Sequence, residues 1–249
     1  MAQAAAVARL FHLSDIHFGL EDRAALAWVE DAVAAERPDG VLITGDLTMR
    51  ARHREFAAAQ RWIAGLKAPA TIVVGNHDMP YFNPVERAFT PYRRFRAVEN
   101  AAARMPQVSG LAIVPLKTAA RAQWRANWSK GWVTRRALQA CLAEIDALPA
   151  GTQVLVTAHH PLRETGTQGT AYTRGGTRAL AELAQRLVAA VLTGHVHDAF
   201  DIMEATPHGP VRMIGAGTLS ERTRATPPSY NVLEWDGATL SATVRTLDA

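Results

Sequence analysis

The chain has 249 residues, 48% apolar and 20% charged, which excludes a disordered or fibrous protein and fits a single globular domain. A net charge of +4 is too mild to mark a nucleic-acid partner, although the predominance of arginine over lysine suits anionic esters. The one cysteine, Cys141, rules out an internal disulfide and fits a reducing compartment. With no apolar run of the length a signal peptide or membrane helix needs, the expectation is a cytoplasmic protein without a membrane partner.

In chain order, "RLFHLS" predicts a first strand, and "DIHFG" behind it supplies Asp15 and His17. Leu26, Val29 and Val33 then recur at helical spacing. "GVLITG" reads as a second strand closing on Asp46, and Phe56, Ala59, Ile63 and Leu66 predict a second helix. "ATIVVG" is a third strand, followed at once by Asn76, His77 and Asp78. From 79 to 130 proline, arginine and tryptophan are scattered around one strand-like run, "GLAIVPL". This least patterned stretch is expected to be an irregular, substrate-binding insertion.

Leu138, Cys141, Leu142, Ile145 and Leu148 predict a further helix with Cys141 as a core thiol. "QVLVTA" ends in His159 and His160, and Leu180, Leu183, Leu187 and Val191 form another helical stripe. "AAVLTG" ends in His195, His197 and Asp198. Beyond it "AFDIME", "VRMIGAG", "YNVLEW" and "LSATVRTL" are strand-like, with "HG" and "DG" turns, and predict an antiparallel meander packed beside the first sheet. Strands alternating with helices make the fold α/β, as one domain over 1–249.

The polar residues gather at the carboxyl ends of strands, where open α/β sheets place their ligand crevice. Six of the 9 histidines lie in these strand-end motifs; only His12, His53 and His208 lie elsewhere. Imidazole nitrogen with Asp and Asn oxygen, and no thiol, suits divalent Mn, Fe, Zn, Co or Ni. Asp15 with His17, and His195 with His197, are spaced so that an extended backbone would point both side chains the same way. Each motif alone has a plainer explanation, Asp46 as a helix cap and Asn76 as a turn residue, but all of them in succession do not.

The ordered set "DIH", "GD", "GNHD", "HHP" and "GHVH" resembles the calcineurin-like metallophosphoesterase superfamily over nearly the whole chain. The resemblance implies a four-layer αββα sandwich of two mixed β-sheets flanked by helices, with a dinuclear metal site at the strand ends. It implies that Asp15, His17 and His197 hold one divalent ion, that Asn76, His159 and His195 hold the other, and that Asp46 bridges them. His77 would be the general acid, in an in-line attack on phosphorus by a metal-bridging hydroxide. His160 would support the ligands, with Asp78, or face the substrate; Arg50 is the arginine best placed in sequence to touch substrate phosphate. Arg52, Arg93, Arg94 and Arg96 are weaker candidates, read first as solvated, and Tyr81, Phe82, Trp124, Trp128 and Trp132 are candidates to stack on a base or to pack in the core.

Within the superfamily, Met49 stands where purple acid phosphatases carry a tyrosine ligand, and His77 stands where lipid A pathway hydrolases have arginine. Met49 also leaves the sequence without a polar side chain to orient His77. The motif set looks most like bacterial phosphodiesterases grouped with class III cyclic-nucleotide and glycerophosphodiester enzymes. The expectation is therefore a phosphodiesterase of a small substrate, a cyclic nucleotide among the options, acting as monomer or homodimer. A phosphomonoesterase, a metal-dependent nuclease and a non-enzymatic binding scaffold are the alternatives.

Overall fold

The computed structural model describes residues 7–102, 104–120, 129–224 and 226–247. Among the described residues ten strands form two five-stranded mixed sheets. The first contains β1 (Ala8–Leu13), β2 (Gly40–Ile43), β3 (Ala70–Ile72), β9 (Ser229–Trp235) and β10 (Leu240–Thr246), in the order β10-β9-β1-β2-β3. The second contains β4 (Leu111–Pro115), β5 (Gln153–Thr157), β6 (Val188–Thr193), β7 (Phe200–Glu204) and β8 (Val211–Gly215), in the order β4-β5-β6-β8-β7. The central strands β1, β2, β5 and β6 are joined in parallel by helical crossovers, which is why they read as short unbroken apolar runs: both of their faces are buried.

Side-chain alternation divides the core into three. Leu10, Leu42, Leu155, Leu192 and Leu233 point between the sheets. Their neighbours Phe11, Leu13, Val41 and Ile43 face the other way, onto α1 (Arg23–Glu36) and α2 (His53–Gly65). Val154, Val156 and Val191 face α5 (Arg135–Asp146) and α6 (Gly176–Leu183). The result is helix, sheet, sheet, helix, as expected. Asp22 caps α1 by accepting from the amides of Ala24 and Ala25, and Thr134 caps α5 through Ala137, so each helix starts where a side chain meets its free N–H groups. Cys141 is buried in the α5 face, where burial pushes its thiol up to about 12 and removes it from thiolate chemistry.

Three expectations need correction. The segment 79–130 is not uniformly irregular: α3 (Pro84–Phe89) and α4 (Arg93–Ala102) precede β4 within it. Asn83 caps α3 with proline next in line, and Glu86 draws in Arg94, so the polar residues that hid the pattern are capping and pairing groups. Trp124 and Trp128 lie outside the described residues. The last four strands are not one meander, because β7 and β8 pair in the second sheet whereas β9 and β10 pair in the first, with β9 antiparallel to β1. Finally, the stripe through Leu187 and Val191 is not helical: α6 stops at Leu183, Leu187 is exposed, and Val191 is interior to β6. Among the described residues no helix is long and apolar enough to cross a membrane.

Candidate metal centre

Both sheets end on the same side, and the loops that leave them converge. Past β1 lie Asp15 and His17; past β2, Asp46; past β3, Asn76, His77 and Asp78. Past β5 lie His159 and His160, and past β6, His195 and His197. His17 Nε2 stands 3.2 Å from His197 Nε2, 3.7 Å from Asp15 Oδ1 and 3.9 Å from Asp46 Oδ2. On the other side, His159 Nε2 is 3.3 Å from Asp46 Oδ2 and 3.1 Å from Asn76 Oδ1. His195 packs on His159 and His160, with ring centroids 5.2 and 4.4 Å apart. The Asp46 carboxylate thus lies between the His17 and His159 groups.

The pairs Asp15/His17 and His195/His197 meet, but not by the extended geometry expected. Their strands stop at Leu13 and Thr193, and the backbone then turns left-handed: φ is 52° at Asp15, 52° at His17, 70° at His195 and 63° at His197. Asp46 shares the conformation at 51°. Positive φ costs a residue with a side chain roughly 1–3 kcal/mol, and such strain concentrates at functional sites. Surrounding hydrogen bonds hold it in place. The Asp15 amide donates to the Gly45 carbonyl, His17 to that of Asp46, and the His195 amide to Asp15 Oδ2 at 2.7 Å. Asp78 accepts from the amides of Leu47, Thr48 and Gly75 and from the Thr48 hydroxyl, which locks the loop after β2 to the loop after β3.

The donor set fits cations. His159 donates from Nδ1 to the Thr44 carbonyl at 2.8 Å, and His197 from Nδ1 to that of Arg222 at 2.7 Å. Each hydrogen bond fixes the tautomer with a bare lone pair on Nε2, the atom turned to the centre. Asp15 Oδ1 is fully buried and lies 3.2 Å from His197 Nε2; two such atoms in contact need a proton or a metal ion between them. Burial pushes His17 and His195 down to about 3, keeping both imidazoles in the neutral, ligating form. Burial alone would lower His159 too, but the facing Asp46 carboxylate outweighs it and raises this imidazole to about 9, so a proton holds the place on Nε2 that a metal ion would take over. Burial would raise Asp15 and Asp46; His197 and His159, respectively, more than reverse that and hold both well below the usual carboxylate range. The centre is built to receive positive charge.

Two glycines let these loops close on each other. A Cβ on Gly75 would lie 2.0 Å from Asp46 Oδ1, and one on Gly194 would lie 2.5 Å from Asp15 Oδ2. Gly75→Ala is therefore expected to displace Asp46, to lower metal content measured by elemental analysis, and to lower Tm by roughly 3–10 °C. Unchanged metal content would show that the Asp46 loop yields without disturbing the donors.

His77 answers to the backbone where Met49 offers no polar side chain. Its Nδ1 donates to the Met49 carbonyl at 2.7 Å, which turns Nε2 towards a cleft of about 230 Å³. Asp46, Asn76, His195 and His197 line that cleft with His77, and Ser129, Lys130, Gln168, Thr170, Arg222 and Arg224 complete it.

The residues expected to face substrate have other places. Arg50 is exposed and is not among those lining the cleft; it sits in the turn before α2, where its amide donates to Glu55. His160 is buried behind His195, with Nδ1 bonded to the Thr118 hydroxyl and Nε2 donating to the Ser129 carbonyl, so neither nitrogen is open to a substrate. Arg93 and Arg94 are tied to Glu86, Arg52 to Glu55, and Arg96 lies against a separate groove between α4 and α5. Sequence reading missed Arg222, which sits in the crossing from β8 to β9 and has no motif spacing to betray it.

Comparison with known proteins was consistent with this geometry. The chain is 26% identical over 171 residues to the glycerophosphodiester phosphodiesterase GpdQ of Enterobacter lignolyticus (strain SCF1), a match covering 61% of this chain and 56% of that protein. The chain thus spans little more than half the length of that curated relative. A dimetal phosphatase from Danio rerio superposes with a TM-score of 0.64 at 14% identity, covering 94% of this chain and 98% of that one. The purple acid phosphatase PPD1 from yellow lupin (Lupinus luteus) seeds gives a TM-score of 0.66 at 14% identity, covering 97% of this chain and 52% of that one. At such identities the two structures share the fold. The family description "Calcineurin-like phosphoesterase" matches residues 8–199, most of the chain. On that match, this chain belongs to the calcineurin-like phosphoesterase family.

Proposed function

We propose that the chain hydrolyses a small, polar phosphodiester with the help of two divalent cations. The observation that carries this reading is the facing of buried acceptors across the centre, Asp15 Oδ1 against His197 Nε2 and Asp46 Oδ2 against His159 Nε2. In this reading Asp15, His17 and His197 hold one cation, Asn76, His159 and His195 hold the other, and Asp46 serves both. When bound, the pair supplies Lewis acidity towards a phosphoryl oxygen and towards water.

The chain's own residues do the rest. His77 has its Nδ1–H engaged by Met49, so the proton it hands to a departing alkoxide leaves from Nε2, the atom that faces the cleft. Asp78 keeps His77 in register with Asp46, whose Oδ1 also accepts from the His77 amide at 2.8 Å. His160 holds the wall behind His195 and takes no part in proton transfer.

The cleft lining supports a compact polar substrate. Among the described residues no aromatic side chain other than histidine lines it. Tyr81 and Phe82 are exposed elsewhere, and Trp132 is covered by the Arg174 guanidinium, 4.8 Å from its ring centre, so none of the three lines the cleft. This polar lining suits a glycerophosphodiester-like substrate, the kind named for GpdQ. The test is a panel of mono-, di- and cyclic phosphoesters assayed with Mn, Fe, Zn and Co. Small diesters are expected to give the highest kcat/KM. A strong preference for monoesters would overturn the diesterase assignment, and no metal-dependent turnover with any ester would overturn the enzyme assignment.

A further inference from the structure

The geometry points to Arg222 as the residue that binds the phosphoryl anion of the substrate in this cleft, an inference that rests on the hydrolase reading above. Most arginines of this chain that reach into the structure are neutralised by a carboxylate: Arg245 by Glu36, Arg94 by Glu86, Arg186 by Asp146 and Arg212 by Asp201. Arg222 is not. It is half-buried, and among the described residues no carboxylate pairs with it. Its Nη1 instead stands 3.3 Å from His77 Nε2, 3.4 Å from His17 Nε2 and 3.8 Å from Met49 Sδ, all groups without negative charge.

A cation held in a polar cleft with no carboxylate beside it is an unmet demand for an anion. The guanidinium fork matches the oxygens of a phosphoryl group and can engage two at once. Its placement is fixed from behind, because the Arg222 carbonyl accepts from His197 Nδ1 and its amide donates to the Ser220 hydroxyl. The residue that orients one histidine of the centre through its backbone thus presents its side chain to the atom from which His77 would donate. A phosphoryl oxygen taken by Arg222 would set the leaving oxygen near His77 Nε2. Arg224 and Lys130 line the same cleft and extend its positive edge, with Lys130 Nζ also donating to the Thr170 carbonyl at 3.2 Å.

The test uses the metal-loaded protein and inorganic phosphate as the probe, followed by calorimetry. Arg222→Ala is expected to weaken phosphate binding by roughly 10- to 100-fold, the worth of a charge-assisted hydrogen bond, with metal stoichiometry unchanged. Arg222→Lys should recover part of that loss, whereas Arg50→Ala should leave phosphate affinity as in the wild type. In turnover of a diester, KM should rise with Arg222→Ala in the same proportion. Wild-type affinity for phosphate in a fully metallated Arg222→Ala protein would overturn the inference while leaving the hydrolase reading intact. So would an equal loss in Arg222→Ala and Arg50→Ala. Failure of the hydrolase reading is distinct: the wild type would then turn over no phosphoester, whatever Arg222 does to phosphate affinity.

Discussion

Asp46→Ala is expected to leave the purified protein with less than stoichiometric metal and to lower kcat/KM by roughly 10²- to 10³-fold, the cost of removing one partner from a buried charged cluster. The carboxylate is almost fully buried, and its Oδ2 stands 3.3 Å from His159 Nε2 and 3.9 Å from His17 Nε2. Its second oxygen accepts the His77 amide, so truncation also loosens the loop that carries Asn76 and His77. A cation at a hundred times its Kd stabilises the folded state by about 2.7 kcal/mol, which for a chain of this size is a rise in Tm of roughly 5–10 °C. That metal-dependent rise should be present in the wild type and absent in Asp46→Ala. Full metal content in the variant would show that Asp46 is not shared between two ions.

His77→Ala is expected to do the opposite to metal and activity. It should keep its metal and lose roughly 10²- to 10⁴-fold in kcat on esters with poor leaving groups, the usual worth of a positioned general acid. Esters whose leaving oxygen is already acidic should be spared most of the loss. The structure makes the experiment necessary, because His77, His17 and Asp46 can bring one donor atom each within 4.8 Å of one another, so His77 has the reach of a ligand. Loss of metal with retained turnover per bound ion would assign it that role. The Met49 carbonyl on Nδ1 and the cleft on Nε2 favour the proton donor.

The strands and the polar clusters at their ends were legible because burial on both faces writes an unbroken apolar run, and because a buried donor set needs rare residue types in fixed order. Helix boundaries were less so: Leu187 and Val191 continue the α6 spacing by accident, since a β-strand interior uses the same residues. The split of the last four strands between two sheets was invisible, because "HG" and "DG" turns specify hairpins but not the sheet each hairpin joins. Arg50 has the guanidinium that suits a phosphate, yet the turn before α2 leaves it at the surface. Arg222 reaches the cleft from a crossing segment with no local pattern, and His77 is oriented by a main-chain carbonyl that any residue at 49 would provide.

The pairing of β9 with β1 has a consequence for the order of assembly. Arg9 lies opposite Glu234, so β1 waits for a strand 225 residues further along the chain before its sheet is whole. Such distant pairings are slow to form. The histidines gathered at the centre all precede residue 198, but the carbonyl that fixes His197 belongs to Arg222, and β9 follows it. The hydrogen bond that orients His197 can therefore form only once the chain beyond β8 is in place.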